Sequence, residues 1–242
     1  MMYHHLNSDR CSNNIDIFES HIKYISENFN STFPTENLPS NPICLVFDDG
    51  YYDFYKLIFP LLKKYNIKAL LAVIPKYILD DCNYSDEDRL NYDHNDLFKY
   101  YNMGTFCTFK ELQEMVDSEL VQVVSHSYSH ANLVEDDISL EEELKLSKQI
   151  IEDKLYTKNN NKVESFVYPF GKYNQSILDE TMKYYKYSFR IGNGINKDFS
   201  GINGVIYRID GDNLENDSDI FRFSNMLKFR FKSFVKQIVG NR

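Results

Sequence analysis

Three short clusters in this chain hold residue types that can do chemistry together. Asp48 and Asp49 stand side by side between the apolar run Ile43-Cys44-Leu45-Val46-Phe47 and Gly50. Two adjacent carboxylates can divide labour, one holding a metal ion and the other moving a proton. A strand followed by an Asp-Gly turn has the same local appearance, so the pair alone does not decide. His126 and His130 frame the pentapeptide His126-Ser127-Tyr128-Ser129-His130. On a helical turn a spacing of four puts both imidazoles on one face, where they can share a metal. Asp49 plus these histidines gives three N/O ligands with coordination positions left open, a catalytic rather than a structural set. That donor set suits several divalent ions. The third cluster, Tyr168-Pro169-Phe170-Gly171, is a turn at the end of another apolar stretch.

Each cluster follows a segment that reads as a buried strand. Ile43 to Phe47 is one, and Lys68 to Pro75 is a second. Between them Tyr51 to Tyr65 has helical periodicity, with Pro60 predicting a kink or a restart. Phe109 to Ser118 reads as a helix and Leu120 to Ser125 as the strand that delivers His126. A helix from Ser139 to Tyr156 follows, with Ser139 as its cap and Glu142 at the capping-box position. Glu164 to Tyr168 is the next strand, then helix Gln175 to Tyr184 and short strands at Tyr187 to Ile191 and Val205 to Ile209. An early helix, Asp16 to Phe29, precedes all of these. Strand–helix–strand alternation requires parallel pairing through right-handed crossovers. Because chemistry-competent residues recur at several strand ends, a barrel is preferred. An open doubly wound sheet is the alternative, but no Gly-rich phosphate loop follows the first strong strand. Tyr77 to Tyr101 carries seven acids and weak periodicity, and is expected to be a solvated insertion.

The chain has 242 residues, enough for one large α/β domain over 1–242. Its net charge of −9 argues against nucleic acid as the main partner. Cys11, Cys44, Cys82 and Cys107 show no CxxC spacing, so free thiols are expected, with Cys44 inside the buried strand. No basic segment followed by an apolar one opens the chain, so the expected compartment is the cytoplasm. The charge is uneven. From Asp219 onward there are six cations against one acid, and Phe223, Leu227, Phe231, Phe234 and Ile238 line one side of a helix over 219–239. That side either packs on the rest of the domain, the preferred reading, or gives peripheral contact with a membrane.

Phe47-Asp48-Asp49-Gly50, the histidine pentapeptide and Tyr168-Pro169-Phe170-Gly171 occur in the order and approximate spacing of the polysaccharide deacetylases. This is carbohydrate esterase family four, the NodB-homology domain, and the resemblance runs from about Met2 to Asp210. It implies a distorted (β/α) barrel of about seven strands and a metal-dependent hydrolase. Carried over by position, Asp48 matches the general base, and Asp49, His126 and His130 match the metal ligands. The backbone N–H of Phe170 matches an oxyanion donor.

Two positions depart from the common pattern. Many members steady the base with an arginine two residues before the third motif's proline, where this chain has Val167. Arg208 resembles a later arginine of related members and is the candidate partner of Asp48. The family's late histidine acid is also missing, since no histidine follows His130. In a branch resembling the poly-N-acetylglucosamine deacetylases the motif order is permuted and that histidine lies near the N-terminus after a tyrosine. Tyr3-His4 fits, so His4 is the candidate general acid, with His5 the fallback.

The resemblance implies a divalent metal, zinc first with cobalt or nickel as substitutes. It also implies an N-acetylated sugar or glycan substrate. The expected compartment favours a nucleotide- or lipid-linked form in surface polysaccharide, O-antigen or capsule biosynthesis. The alternatives are an amidohydrolase acting on a small non-sugar amide and a non-catalytic glycan-binding protein.

Overall fold

A computed structural model describes residues 1–155 and 162–239. Tyr156, at the end of one expected helix, and residues 240–242 of the expected 1–242 domain lie outside the described residues. Seven strands form one sheet in chain order: β1 (Met2–Tyr3), β2 (Leu45–Phe47), β3 (Ala69–Val73), β4 (Val121–Ser125), β5 (Ser165–Val167), β6 (Tyr187–Ile191) and β7 (Ile206–Arg208). All six neighbouring pairs are parallel. The sheet closes on itself beyond β7, where Asp210 bridges to Met2 in parallel. Met2 N–H donates to the Ile209 carbonyl (2.8 Å), and Gly211 N–H donates to the Met2 carbonyl (2.8 Å). A Cβ at Gly211 would lie 2.3 Å from the Tyr3 ring, so this close approach requires glycine.

The expected barrel is therefore present, and it is uneven. β3 and β4 pair over five residues, while β4 and β5 meet only at Ser125 and Phe166. The alternation of side chains along each strand sorts the apolar residues into two layers. Val46, Leu70, Ala72, Val124, Val167, Phe189 and Ile206 fill the barrel interior from six strands, with Phe33 packed among them. The opposite faces of the strands, including Leu45, Phe47, Leu71 and Val123, pack with the helices. Burial on both faces is why these strands read as continuous apolar runs.

The surrounding helices are α1 (Ile15–Asn28), α2 (Phe59–Tyr65), α3 (Phe109–Asp117), α4 (Ser147–Lys154), α5 (Gln175–Tyr184) and α6 (Phe223–Val239). Asn14 caps α1 through its side chain, and Thr108 with Glu111 makes a capping box on α3. The helix expected from Tyr51 does restart at Pro60: a π-helical turn at Phe54–Ile58 leads into α2, with the proline in the first turn.

Three expectations are corrected. Cys44 is only partly buried and lies between the short strand Pro42–Ile43, paired with Asn30–Ser31, and β2 rather than inside a strand. The segment 77–101 is not a solvated loop. It contains the helix Asp86–Leu90, and Leu97 and Phe98 pack against Tyr51, Ile74 and Phe106. Finally, α6 turns its apolar side outward, with Phe223, Leu227, Phe231, Phe234 and Ile238 exposed.

Candidate active site

The site sits where β1, β2, β4 and β7 end. Inward-facing positions recur every second residue, so Val46 is followed inward by Asp48, Val124 by His126, and Ile206 by Arg208. Asp49 breaks this alternation and reaches the same cleft through backbone conformation. Its φ is 71° and that of Gly50 is 75°, two successive left-handed residues at the strand end. A Cβ at Gly50 would meet Val73 Cγ1 at 2.9 Å. The turn is pinned by the stretch just after the 77–101 segment, where Cys107 N–H donates to the Gly50 carbonyl and Tyr52 N–H to that of Thr105, both at 2.9 Å.

His126 and His130 do not lie on a helical turn. The stretch after β4 is a loop in which Ser127 (φ 65°) and His130 (φ 61°) are left-handed. Ser127 Oγ accepts the His130 N–H at 3.0 Å. Glu143 clamps the loop by accepting from Ser129 N–H (2.9 Å) and Ser129 Oγ (2.5 Å). Both Nε2 atoms face Asp49 Oδ1, at 3.4 Å from His126 and 3.3 Å from His130.

The donor chemistry fits a divalent cation. Asp49 Oδ1 is buried without a hydrogen-bond partner, an arrangement that normally costs stability. His126 Nδ1 must donate to the Val167 carbonyl (2.8 Å), which leaves the Nε2 lone pair for a ligand role. Burial pushes His130 down to about 4, so it is neutral at physiological pH. Burial alone would raise Asp49, but His130 and then His126 pull it well below the usual carboxylate range. Three potential ligand atoms lie within 4.8 Å of one another here.

Beside this set, Arg208 grips Asp48 with two parallel hydrogen bonds, Nη1 to Oδ1 at 2.5 Å and Nη2 to Oδ2 at 2.9 Å. Both residues are buried. Burial raises Asp48, and the Arg208 charge followed by that of His126 outweighs it, so the carboxyl stays below its ordinary range. Arg208 thus stands where Val167 leaves no cation.

His4 and His5 part company. His4 points its Nε2 toward Asp48 Oδ2 at 3.9 Å, while its Nδ1 meets Asp212 Oδ2 at 2.6 Å. Asp212 also accepts the His4 backbone N–H at 3.1 Å. Burial lowers the imidazole, but the hydrogen bond to Asp212 and the charge of Asp48 prevail and push it up to about 10. His5 faces away: its Nδ1 meets Asp53 Oδ2 and its Nε2 meets His94 Nδ1, both at 3.1 Å, beside a separate cavity of about 690 Å³.

Phe170 has φ 57° in the turn after β5, held by Gly171 N–H donating to the Tyr168 carbonyl at 3.0 Å. Its exposed ring lies against His130, with centroids 4.7 Å apart, and Phe98 stacks on the same imidazole at 5.4 Å. Asp212, Glu143 and Phe98 escaped the sequence reading. Asp212 had one signal, an acid shortly after Arg208 that could orient a histidine.

A family model for polysaccharide deacetylase matches residues 35–188, more than half of the chain. The chain belongs to the polysaccharide deacetylase family. Members are hydrolases of carbon–nitrogen bonds other than peptide bonds. Among curated relatives, YxkH of Bacillus subtilis (strain 168) is 26% identical over 198 residues, covering 76% of this chain and 60% of that protein. The poly-beta-1,6-N-acetyl-D-glucosamine N-deacetylase of Escherichia coli (strain K12) is 23% identical over 170 residues, covering 60% of this chain and 24% of that enzyme. The chain thus spans less than two thirds of either relative. A solved structure, the polysaccharide deacetylase BC0361 from Bacillus cereus, superposes with a TM-score of 0.72 at 21% identity, covering 93% of this chain and 67% of that one. That likeness establishes the shared (β/α) barrel.

Proposed function

We propose that this polysaccharide deacetylase family member is a metal-dependent de-N-acetylase acting on the acetamide of an N-acetylated sugar. The observation that carries the reading is the buried juxtaposition of the Asp48–Arg208 pair, the Asp49/His126/His130 set and His4. We assign Asp49, His126 and His130 as the residues that would hold the ion, with Zn²⁺ first and Co²⁺ or Ni²⁺ as substitutes. When bound, such an ion polarises the acetamide carbonyl and acidifies water.

The chain's own groups divide the proton work. Asp48, kept ionised by Arg208, takes a proton from the attacking water as general base. The Phe170 backbone N–H, presented by the left-handed turn, donates to the oxygen on which negative charge develops. His4, protonated below about pH 10, gives a proton to the leaving amine as the carbon–nitrogen bond breaks. Asp212 holds that imidazole by its Nδ1, which leaves Nε2 toward the reaction centre. Water adds across the amide, and acetate and a free amine leave.

For the substrate, the name of the E. coli relative supports an N-acetylated polysaccharide, and we propose that it belongs to surface polysaccharide, capsule or O-antigen biosynthesis. We further propose a nucleotide- or lipid-linked form handled in the cytoplasm, with peripheral contact at the membrane's inner face through α6. The four unpaired cysteines suit a reducing compartment. The test is acetate release from N-acetylglucosamine oligosaccharides with added Zn²⁺ or Co²⁺, compared with Asp48→Asn. Release from wild type that is lost in the variant supports the reading, and no release from any acylated sugar overturns it.

A further inference from the structure

The exposed side of α6 is organised in a way that the catalytic reading does not use. At about 100° per residue, Phe223, Phe234, Leu227, Ile238 and Phe231 fall within an arc of about 80°. Their exposures are 78, 59, 47, 67 and 67%, so the whole stripe faces away from the barrel. The helix is held by its other side. Ser233, its buried residue, accepts the Ile195 N–H through Oγ at 2.7 Å, and the Asn203 amide donates to the Lys236 carbonyl at 3.2 Å. The Lys236 ammonium lies over the Tyr207 ring, 4.9 Å from its centroid. By the same angular count, exposed Arg230 lies about 20° outside one edge of the stripe and exposed Lys228 about 60° outside the other. Val235 stands between stripe and lysine, and Lys232 lies further round, about 100° beyond the edge. No acid occurs between Phe223 and Val239.

We infer that this face is an interfacial helix for an anionic lipid surface, the aromatic and aliphatic stripe entering the headgroup boundary and the flanking cations meeting lipid phosphates. The inference deepens the membrane-side reading proposed above and rests on it for its use in the cell. Charge chooses the occupant. A second copy docked stripe to stripe would bring the cations nearest the stripe, Arg230 and Lys228, of both copies toward one another with no acid on the helix to offset them. An anionic bilayer satisfies both parts of the pattern, apolar burial and cation attraction. Among the described residues no helix is long and apolar enough to cross a membrane. Tyr207, under the helix, is followed by Arg208, which holds Asp48, so the surface-bound flank is one strand from the reaction centre.

The test uses the full chain in co-sedimentation with vesicles of phosphatidylcholine alone or mixed with phosphatidylglycerol. Wild type is expected to bind the mixed vesicles, more weakly as salt rises, and to leave phosphatidylcholine alone largely unbound. Phe231→Ser with Phe234→Ser should lower partitioning more than about tenfold. Lys228→Glu with Lys232→Glu should remove the preference for the anionic lipid, at roughly fivefold per cation. Both variants alter exposed positions and should keep the wild-type melting temperature and wild-type acetate release from a soluble oligosaccharide, so loss of lipid binding is separable from failure of the deacetylase reading. Equal binding to both vesicle types would overturn the inference, as would unchanged binding by the Phe231/Phe234 variant. So would a dimer in solution that the same variant abolishes, because the face would then belong to a second copy.

Discussion

Asp49, His126 and His130 come from the ends of β2 and β4 and the turns that follow them. Asp48, Arg208, His4 and Asp212 instead meet across the line where β7 and β1 close the barrel. The first group is a set of lone pairs around a carboxylate oxygen with no hydrogen-bond partner. The second is a chain of matched charges in which Asp48 and Asp212 flank His4 and Arg208 secures Asp48. The difference teaches how one cleft separates two tasks. Uncompensated donor atoms suit a cation, whereas paired groups hold protonation states apart so that one residue stays a base and another an acid.

Breaking the proton side at its acid gives the largest expected effect. His4→Ala should lower kcat by about 10²–10⁴-fold while metal content stays at the wild-type level, measured by acetate release beside elemental analysis. His5→Ala is the control, since its ring is engaged with Asp53 and His94 and should leave that rate far less affected.

Arg208→Met strikes the same side through stability. It leaves Asp48 buried without its partner, a loss of about 3–5 kcal/mol that thermal or denaturant unfolding would register. A Tm equal to wild type would mean that the bidentate pair is not holding the closure.

The pH dependence sharpens the contrast. His4 must be protonated to act, and its raised value means the acid form is present below about 10 and lost as pH rises through it. The alkaline limb of kcat/KM should therefore fall near pH 10. Asp212→Asn removes the hydrogen-bonded carboxylate that raises the imidazole, so the limb should move to lower pH while the melting curve changes little. An unmoved limb would detach Asp212 from His4.

The smallest effect is expected at Phe98→Ala, which removes one ring from the stack on His130. Loss of such a contact is worth about 0.5–1.5 kcal/mol, so metal affinity should weaken by no more than roughly tenfold, with His4-dependent pH behaviour unchanged.

Legibility in the sequence follows the same division. Asp48 and His126 directly follow apolar strands, so the strand ends already pointed to them, whereas Arg208 came from resemblance although it continues the inward alternation of its strand. Asp49 and His130 enter the cleft through left-handed backbone, which residue spacing does not encode; the helical-turn geometry expected for the histidine pair is not what joins them. His4 came from resemblance rather than from pattern, because one histidine near a chain end carries no local signal. Asp212 lies in an acid-rich stretch, 208 positions from its partner, and only barrel closure brings the two together. In 77–101 the acids masked Leu97 and Phe98, the residues that pack. In α6 the apolar periodicity was plain, but it could not say which side faced the barrel. Small residues decided that: Ser233 and the Gly192–Gly194 stretch, where added Cβ atoms would press on Tyr207, allow close docking on the polar side.

The central claim is that the two adjacent aspartates do different jobs. It is tested most directly by measuring bound metal and acetate release together in Asp48→Asn. The expected result is wild-type metal stoichiometry with acetate release reduced by at least about 10²-fold. A variant that loses its metal, or one that keeps wild-type release, would contradict it.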